Sequence, residues 1–372
     1  MSRCFAVIAG GGTAGHVVPA LAIGRALVER GRSADEIHFV GSRRGIDRRL
    51  VVPAGFPLTL LPGRGIARKL TLQNVGSLAG FAVALVQAFV LLLQLRPRVV
   101  VSMGGYAAAP CALVGVLLRV PLVLAEQNAV PTATHRLLAR FATASAVPFE
   151  GTPLPNAIVT GNPVRDEMLD VDRSAAGRAA ARASFGLPED ATVVVAVGGS
   201  LGARTINEAV LGLAKAWSSR TDIAIRHVVG ERDWDELSAG APATAPGGLV
   251  YQQVKYEERM PEALAAADLV VSRSGGSVAE LAVVGRASIL VPLPIAPFDH
   301  QAENARVLVD AGAAIMLRDH EVTTQRLADE IERLLAEPGE LERMGEAART
   351  VGHPDAADRV ADVVEQYARK GR

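Results

Sequence analysis

The sequence predicts an α/β protein of two Rossmann-like domains, each a parallel sheet crossed by helices, with the two sheets facing a central cleft. Short apolar runs rich in Val and Ile alternate with longer helical stretches along the whole chain, the pattern of strand–helix–strand crossovers. Two glycine-rich turns, about half a chain apart, each follow one apolar run and open a helical one. Pro153, Pro155 and Pro163 crowd the stretch Pro148 to Arg165 and mark the joint between the halves. At 372 residues the chain suits two ordinary domains better than one core.

Taken in order, the first half offers strands over Phe5 to Ala9, Ile37 to Val40, Val99 to Ser102, Leu122 to Ala125 and Ala157 to Thr160. The second offers Val193 to Val197, Ile223 to Val229, Leu249 to Gln252, Leu269 to Ser272 and Ser288 to Val291. The expected domains are residues 1–163 and 164–350, with 351–372 a C-terminal helix that packs back on the first domain. The segment Leu78 to Leu95 is almost wholly apolar, interrupted by Gln87 and Gln94, and approaches the ~20 residues of a membrane-spanning helix. Since it lies between predicted strands, spanning would tear the sheet apart, and it reads as a crossover helix. An exposed apolar face beside Arg64, Arg68 and Lys69 would make a shallow membrane-docking patch.

Composition narrows the function. Hydrophobic residues make up 49% and charged residues 21% of the chain, which excludes disordered and collagen-like classes. The only cysteines, Cys4 and Cys111, have no CxxC or Cys/His clustering, so neither a disulfide framework nor a structural zinc site is expected. The N-terminal run shows no cleavage site, and a cytosolic compartment is expected. The net charge of zero hides a polarity: residues 1–165 hold 17 Lys and Arg against 6 Asp and Glu, and the remainder carries the opposite excess. A basic first half suits an anionic partner such as a membrane surface, a phosphorylated lipid or nucleic acid.

The glycine turns set the chemistry. The first reads Cys4-Phe-Ala-Val-Ile-Ala-Gly-Gly-Gly-Thr-Ala-Gly-His16 and the second Thr192-Val-Val-Val-Ala-Val-Gly-Gly-Ser-Leu-Gly-Ala203. Glycines let the backbone turn tightly and approach a ligand, and the free N–H groups of the following helix favour an anion. Gly10, Gly12 and Gly15 fit GxGxxG, but the end of the second strand, Val40-Gly-Ser-Arg-Arg44, lacks the carboxylate a nicotinamide dinucleotide site uses. His16 at the first helix start is a candidate base or diphosphate ligand. Ser200 is placed to cap its helix or to bind phosphate. Ser277-Val-Ala-Glu280 has the form of a capping box, while the Glu280 carboxylate is equally suited to a ribose diol. The Pro-fixed loop from Pro292 to Asn304 follows a strand, where α/β sheets bind ligands.

Seven motifs stand in one order: GGGTAGHVVPALAI, SMGGYAAAP, LAEQNAVP, TGNPVR, VGGSLGAR, the Ser-Gly-Gly turn with Glu280, and DHQAENA followed by DAGAA. With them the chain, from Phe5 to about Met316, resembles the MurG family of N-acetylglucosaminyltransferases in glycosyltransferase family 28, which make lipid II from lipid I in peptidoglycan synthesis. The resemblance implies a GT-B fold. The N-terminal domain would take lipid I and face the membrane, and the C-terminal domain would hold UDP-GlcNAc. It implies donor contacts from Thr13, Ala14, Gly15, Asn128, Arg165, Ser200 and Gln301, with Glu280 on the ribose, His300 and Asn304 near the donor sugar, and Tyr256 beside the uracil. Gly275, Gly276 and Ser277 form the turn ahead of Glu280, one residue shorter than the family pattern, and Ala14 stands where the family often has glycine.

The implied reaction is an inverting transfer of GlcNAc to the 4-hydroxyl of MurNAc, with His16 the first candidate base and Glu126 the second. No DxD motif lies near either glycine turn, so helix N-termini, Ser200 and Arg165 are expected to bear the leaving diphosphate's charge, without metal or cofactor. The expected partners are UDP-GlcNAc, lipid I, the anionic inner face of the cell membrane and other cell-wall synthesis proteins, with no nucleic acid. The expected place is peripheral, on the membrane's cytoplasmic face. The alternatives are a related transferase with another acceptor and a UDP-sugar epimerase.

Overall fold

The structure is a computed structural model that describes residues 4–62, 72–198, 203–240, 242 and 247–370. It divides into two compact units, Met1–Arg165 with His353–Arg372, and Asp166–Gly352. In the first unit, strands β1 (Ala6–Ala9), β2 (Ile37–Ser42), β3 (Leu58–Leu61), β4 (Val99–Ser102), β5 (Leu122–Ala125), β6 (Ala144–Val147) and β7 (Ala157–Val159) form one sheet. Their order is β3-β2-β1-β4-β5-β6-β7, and every pairing is parallel. Ala6 sits between Ile37 and Val99 in register. All four residues of β1, β4, β5 and β6 are buried, as expected of a parallel sheet covered on both faces.

Alternation along β1 sorts its side chains between two cores. Phe5, Ala6 and Ile8 join Ile23 and Leu27 of the helix Ala14–Glu29 and Val360 and Val364 of the helix Ala356–Tyr367. Val7 and Ala9 face the other way, toward Ala88 and Leu92 of the helix Leu72–Leu95 and Cys111 of the helix Gly105–Leu117. The chain thus returns from the second unit to complete the core of the first.

The long apolar helix lies on the sheet rather than through it. Ala84, Ala88 and Leu92, one turn apart, form its buried stripe, the i, i+4 spacing of one helix face. Its opposite face leaves Val83, Val86, Val90 and Leu93 exposed at 49%, 65%, 47% and 47%, so only 17% of the window Leu78–Leu95 is buried. The cations Arg64, Arg68 and Lys69 lie outside the described residues.

The second unit repeats the plan with β8 (Thr192–Val197), β9 (Ile223–Val228), β10 (Val250–Val254), β11 (Leu269–Ser272), β12 (Ala287–Leu290) and β13 (Ala314–Met316). Their parallel order is β10-β9-β8-β11-β12-β13. In each sheet the order reverses beside its first strand, between β1 and β4 and between β8 and β11. Crevices at such switch points, outside the strands' carboxyl ends, are where open α/β sheets bind ligands.

Three strands escaped the sequence reading. Leu58–Leu61 is a half-buried edge, Ala144–Val147 has only one large apolar side chain, and Ala314–Met316 is three residues long. The last two fall below the hydrophobicity or length at which a strand announces itself.

Candidate functional site

In the first unit the site grows from the turns after β1, β4 and β5. Gly10 permits the first two turns to touch, since a Cβ there would stand 2.4 Å from Met103 Cβ. The backbone then passes Gly12 at φ 92° and enters the helix Ala14–Glu29 through Thr13, an extended N-cap whose hydroxyl makes no capping bond. That hydroxyl lies 3.1 Å from His16 Nδ1 instead, which fixes the ring's rotation. Gly105 follows β4 at φ 76°, and a Cβ there would approach His16 Cε1 to 3.6 Å. The next residue, Tyr106, sets its ring edge-on to Phe81 at 5.8 Å. Its buried hydroxyl has no hydrogen-bond partner among the described residues, and burial pushes that phenol's pKa up. The sequence reading passed over Tyr106 because its motif showed only small residues and glycines around it.

Glu126, at the end of β5, does not have the properties of the second candidate base. Its side chain is fully buried, and its two oxygens accept five hydrogen bonds. Oε1 receives Gln127 N at 3.0 Å, Asn128 N at 3.1 Å and Asn128 Nδ2 at 3.0 Å. Oε2 receives Thr132 N at 2.9 Å and faces His135 Nδ1 at 2.7 Å. Burial works to raise the carboxyl pKa, but the bonds from His135, Thr132 and Asn128 prevail and hold it at about 2. A saturated carboxylate of that strength is a poor proton acceptor and serves as the knot of its loop. The other His135 nitrogen, Nε2, lies 3.0 Å from Ser102 O and 3.1 Å from Ser102 Oγ at the end of β4. The knot therefore joins the β4 and β5 turns and orients Asn128. His135, nine residues beyond its partner, gave no signal in the sequence. Arg165 closes the unit's first segment.

In the second unit, Ser200 lies outside the described residues, and the helix after its turn, Arg204–Ala216, is anchored from below. Asn207, wholly buried, donates to Val229 O at 2.9 Å and to Asp233 Oδ2 at 3.0 Å. Its Oδ1 accepts from His227 Nε2 at 3.0 Å, so His227 Nδ1 accepts the Tyr251 hydroxyl at 2.8 Å. Burial lowers the His227 pKa from 6.5 to about 4, which keeps the ring neutral in the folded state. Unfolding frees it to bind a proton at pH 6.5. The stability it contributes is accordingly complete above pH 6.5 and declines as pH falls toward 4. Denaturant unfolding of His227→Phe followed between pH 7 and pH 4 is expected to show a flatter decline than the parent chain; parallel curves would contradict this assignment.

The turn after β11 holds Gly275, Gly276, Ser277 and Glu280, and it packs on the start of the helix His300–Asp310, which carries His300, Gln301 and Asn304. Arg273 Nη1 donates to Val291 O at 3.1 Å and to Asp319 Oδ1 at 2.6 Å, while Asp319 Oδ2 accepts from Thr205 Oγ1 at 3.1 Å. Ser274 Oγ donates to Gln301 O at 2.7 Å, and Asn304 Nδ2 donates to Ser274 O at 3.1 Å. Asn304 is 1% exposed, and its amide nitrogen braces this turn. Gln301 Oε1 accepts from Leu293 N at 2.9 Å, and its Nε2 stands 3.6 Å from where a Gly275 Cβ would be. His300 Nδ1 donates to Pro297 O at 2.9 Å.

The capping box is a correction. The helix Ser277–Val284 has Gly276 as its N-cap with no side-chain cap, and Ser277 Oγ donates backward to Arg273 O at 2.9 Å. One residue of shift removes Ser277 from the capping position and leaves Glu280 on the helix's first turn. Phe298 and Asp299 in the next loop hold left-handed φ values of 56° and 55°, a costly backbone found where loops are tightly determined. Tyr256 is 59% exposed. Its neighbour Glu257 is buried and fixed by Arg226 Nε at 2.7 Å, with Arg226 stacked 3.9 Å over Phe185. Among the described residues no group of three His, Cys, Asp or Glu is placed to hold a metal ion.

Comparison with known proteins agrees with this architecture. Residues 6–147 match the glycosyltransferase family 28 N-terminal domain, and residues 192–360 match the glycosyltransferase family 28 C-terminal domain. The chain is 37% identical over 376 residues to the UDP-N-acetylglucosamine–N-acetylmuramyl-(pentapeptide) pyrophosphoryl-undecaprenol N-acetylglucosamine transferase of Desulforudis audaxviator, covering 98% of this chain and 99% of that one. The protein of the same name from a Nocardioides species is 39% identical over 359 residues, 96% of both chains. The crystal structure of Acinetobacter baumannii MurG superposes with a TM-score of 0.74 at 29% identity, covering 98% of this chain and all of that one.

Proposed function

This chain belongs to glycosyltransferase family 28, and from that membership we infer that it transfers GlcNAc from UDP-GlcNAc to lipid I, forming lipid II. The observation that carries this reading is the end-to-end likeness to the Desulforudis transferase, 98% of this chain at 37% identity. In the reaction the MurNAc 4-hydroxyl attacks the anomeric carbon of GlcNAc, the bond to the diphosphate oxygen breaks, UDP departs, and the new β1,4 linkage has inverted configuration.

His16 is the residue we assign to take the hydroxyl proton, with Thr13 orienting its ring. Ser200, Arg165 and the helix N-termini stabilise the departing diphosphate, Glu280 binds the ribose diol, and Tyr256 lies against the uracil. Gln301 and the Gly275–Ser277 turn shape the remainder of the donor pocket.

The test is UDP release from UDP-GlcNAc with and without a lipid I analogue. Release that depends on the analogue, with a disaccharide product, supports the transferase. Turnover of the donor alone would favour the epimerase, and donor binding without stimulation would move the reading to another acceptor.

We further propose that the enzyme works peripherally on an anionic cytoplasmic membrane face. The exposed side of the helix Leu72–Leu95, with Val86 at 65% and Leu93 at 47% exposure, supports this, together with the excess of 17 basic over 6 acidic residues in positions 1–165. Apolar contact and attraction to anionic lipid act together in such docking. The enzyme is expected to float with anionic vesicles at low salt, and Val86→Asp with Leu93→Asp to reduce the bound fraction severalfold. Failure of the parent chain to float would rule out this mode of attachment.

A further inference from the structure

We propose that Asp47 is a positioning residue for catalysis, acting through the first glycine turn on His16. The acid absent from the end of β2 occurs five residues farther on, at the start of the short helix Asp47–Val51. It does not face outward toward a ribose. Asp47 is 1% exposed, and its Oδ2 accepts the Gly12 N–H at 2.9 Å, from beneath the turn that carries Thr13 and His16.

Three glycines make room for this one carboxyl group. A Cβ on Gly11 would lie 1.8 Å from Asp47 Oδ1, one on Gly41 2.3 Å from the same atom, and one on Gly45 2.3 Å from Oδ2. That last Cβ would also stand 2.3 Å from Gly12 Cα, so the Gly45 loop, the glycine turn and the carboxyl group are in mutual contact. A Cβ at any of the three would collide with the carboxyl group where it stands, so the turn and the Asp47 oxygen are packed directly on each other. Gly12 is joined directly to Thr13, whose hydroxyl holds His16 Nδ1 at 3.1 Å. The order of command runs from Asp47 to Gly12, from Gly12 to Thr13 and from Thr13 to the imidazole. Burial pushes the Asp47 pKa up and the Gly12 N–H pulls it back, consistent with an acceptor fixed in an apolar bed.

This rests on the transferase reading, and its test separates the two. In an acceptor-dependent assay of the full-length enzyme, Asp47→Ala is expected to lower kcat about 10²-fold, the effect of misplacing a reacting group by about 1 Å, with donor KM within about twofold. Asp47→Asn keeps the shape and an acceptor oxygen toward Gly12, and a loss of about tenfold or less is expected; it carries the test if the alanine variant does not fold. Each is then combined with His16→Ala. Because Asp47 acts through His16, its loss should change little in that background, the non-additivity of residues that work as a unit. An equal fold-loss with and without His16 would overturn the proposal, as would full activity of Asp47→Ala. A parent enzyme with no acceptor-dependent turnover would instead refute the transferase reading.

Discussion

His16→Ala is expected to lower kcat by about 10²- to 10⁴-fold, the range for loss of a positioned general base, while the protein melts as the parent does. The side chain stands at the mouth of the β1 turn, against Thr13 Oγ1 at 3.1 Å and beside the backbone of Gly105. Its removal leaves no cavity in either core, so stability should change little. The loss should fall on turnover and spare donor KM, since a group that takes the acceptor's proton acts mainly in the transition state. His16→Gln retains a hydrogen-bonding partner for Thr13 but no basic nitrogen, and should be as impaired as alanine. Steady-state kinetics with saturating lipid I analogue check both. Near-full turnover of His16→Ala would take His16 out of the base role.

Glu126→Ala should show the reverse pattern, a loss of stability with activity falling only as the folded fraction falls. Deleting this carboxylate strands the N–H groups of Gln127, Asn128 and Thr132 and the buried His135. Leaving buried donors without their acceptor costs about 1–3 kcal/mol for each. Because the folded-state pKa lies at about 2 against an ordinary 4.5, the stabilisation from ionisation is complete above pH 4.5 and drains away as pH falls toward 2. Denaturant titration at neutral pH measures the first effect, and acid titration the second. A Glu126→Ala protein as stable as the parent but without turnover would restore Glu126 as a catalytic group.

Sequence reasoning reached the backbone of both units and stopped at the contacts of polar side chains. The strands that centre both sheets were legible because a parallel strand buried on both faces is a continuous apolar run, as in Ala6–Ala9 and Thr192–Val197. His16 was singled out because it stands next to the glycines that frame it. Glu126 was visible as a carboxylate, yet its part was not, since the partner that decides it comes from a helix start nine residues later. Ser277 and Glu280 had capping-box spacing, and the helix began one residue earlier than that spacing assumes. Asp47 gave no signal in the sequence, since what marks it is that a Cβ on Gly11, Gly41 or Gly45 would meet its carboxyl group within 2.3 Å. Short-range patterns disclose backbone; contacts across the sheet edge decide what a polar side chain does.

The return of the chain's last helix to the first unit has a consequence for biosynthesis. Val360, Ala361, Val363 and Val364 cover a core whose other members, Phe5, Ile8 and Leu27 among them, are translated first. Between those two events lies all of Asp166–Gly352, which at ~5–20 residues per second takes the ribosome about 10–40 s. The later unit, continuous in sequence, can close while the earlier one still has apolar surface open to water, so the usual N-to-C order of domain completion is inverted. A nascent chain stalled before His353 would expose that surface to chaperones and proteases, and only a chain read through Tyr367 has both units sealed.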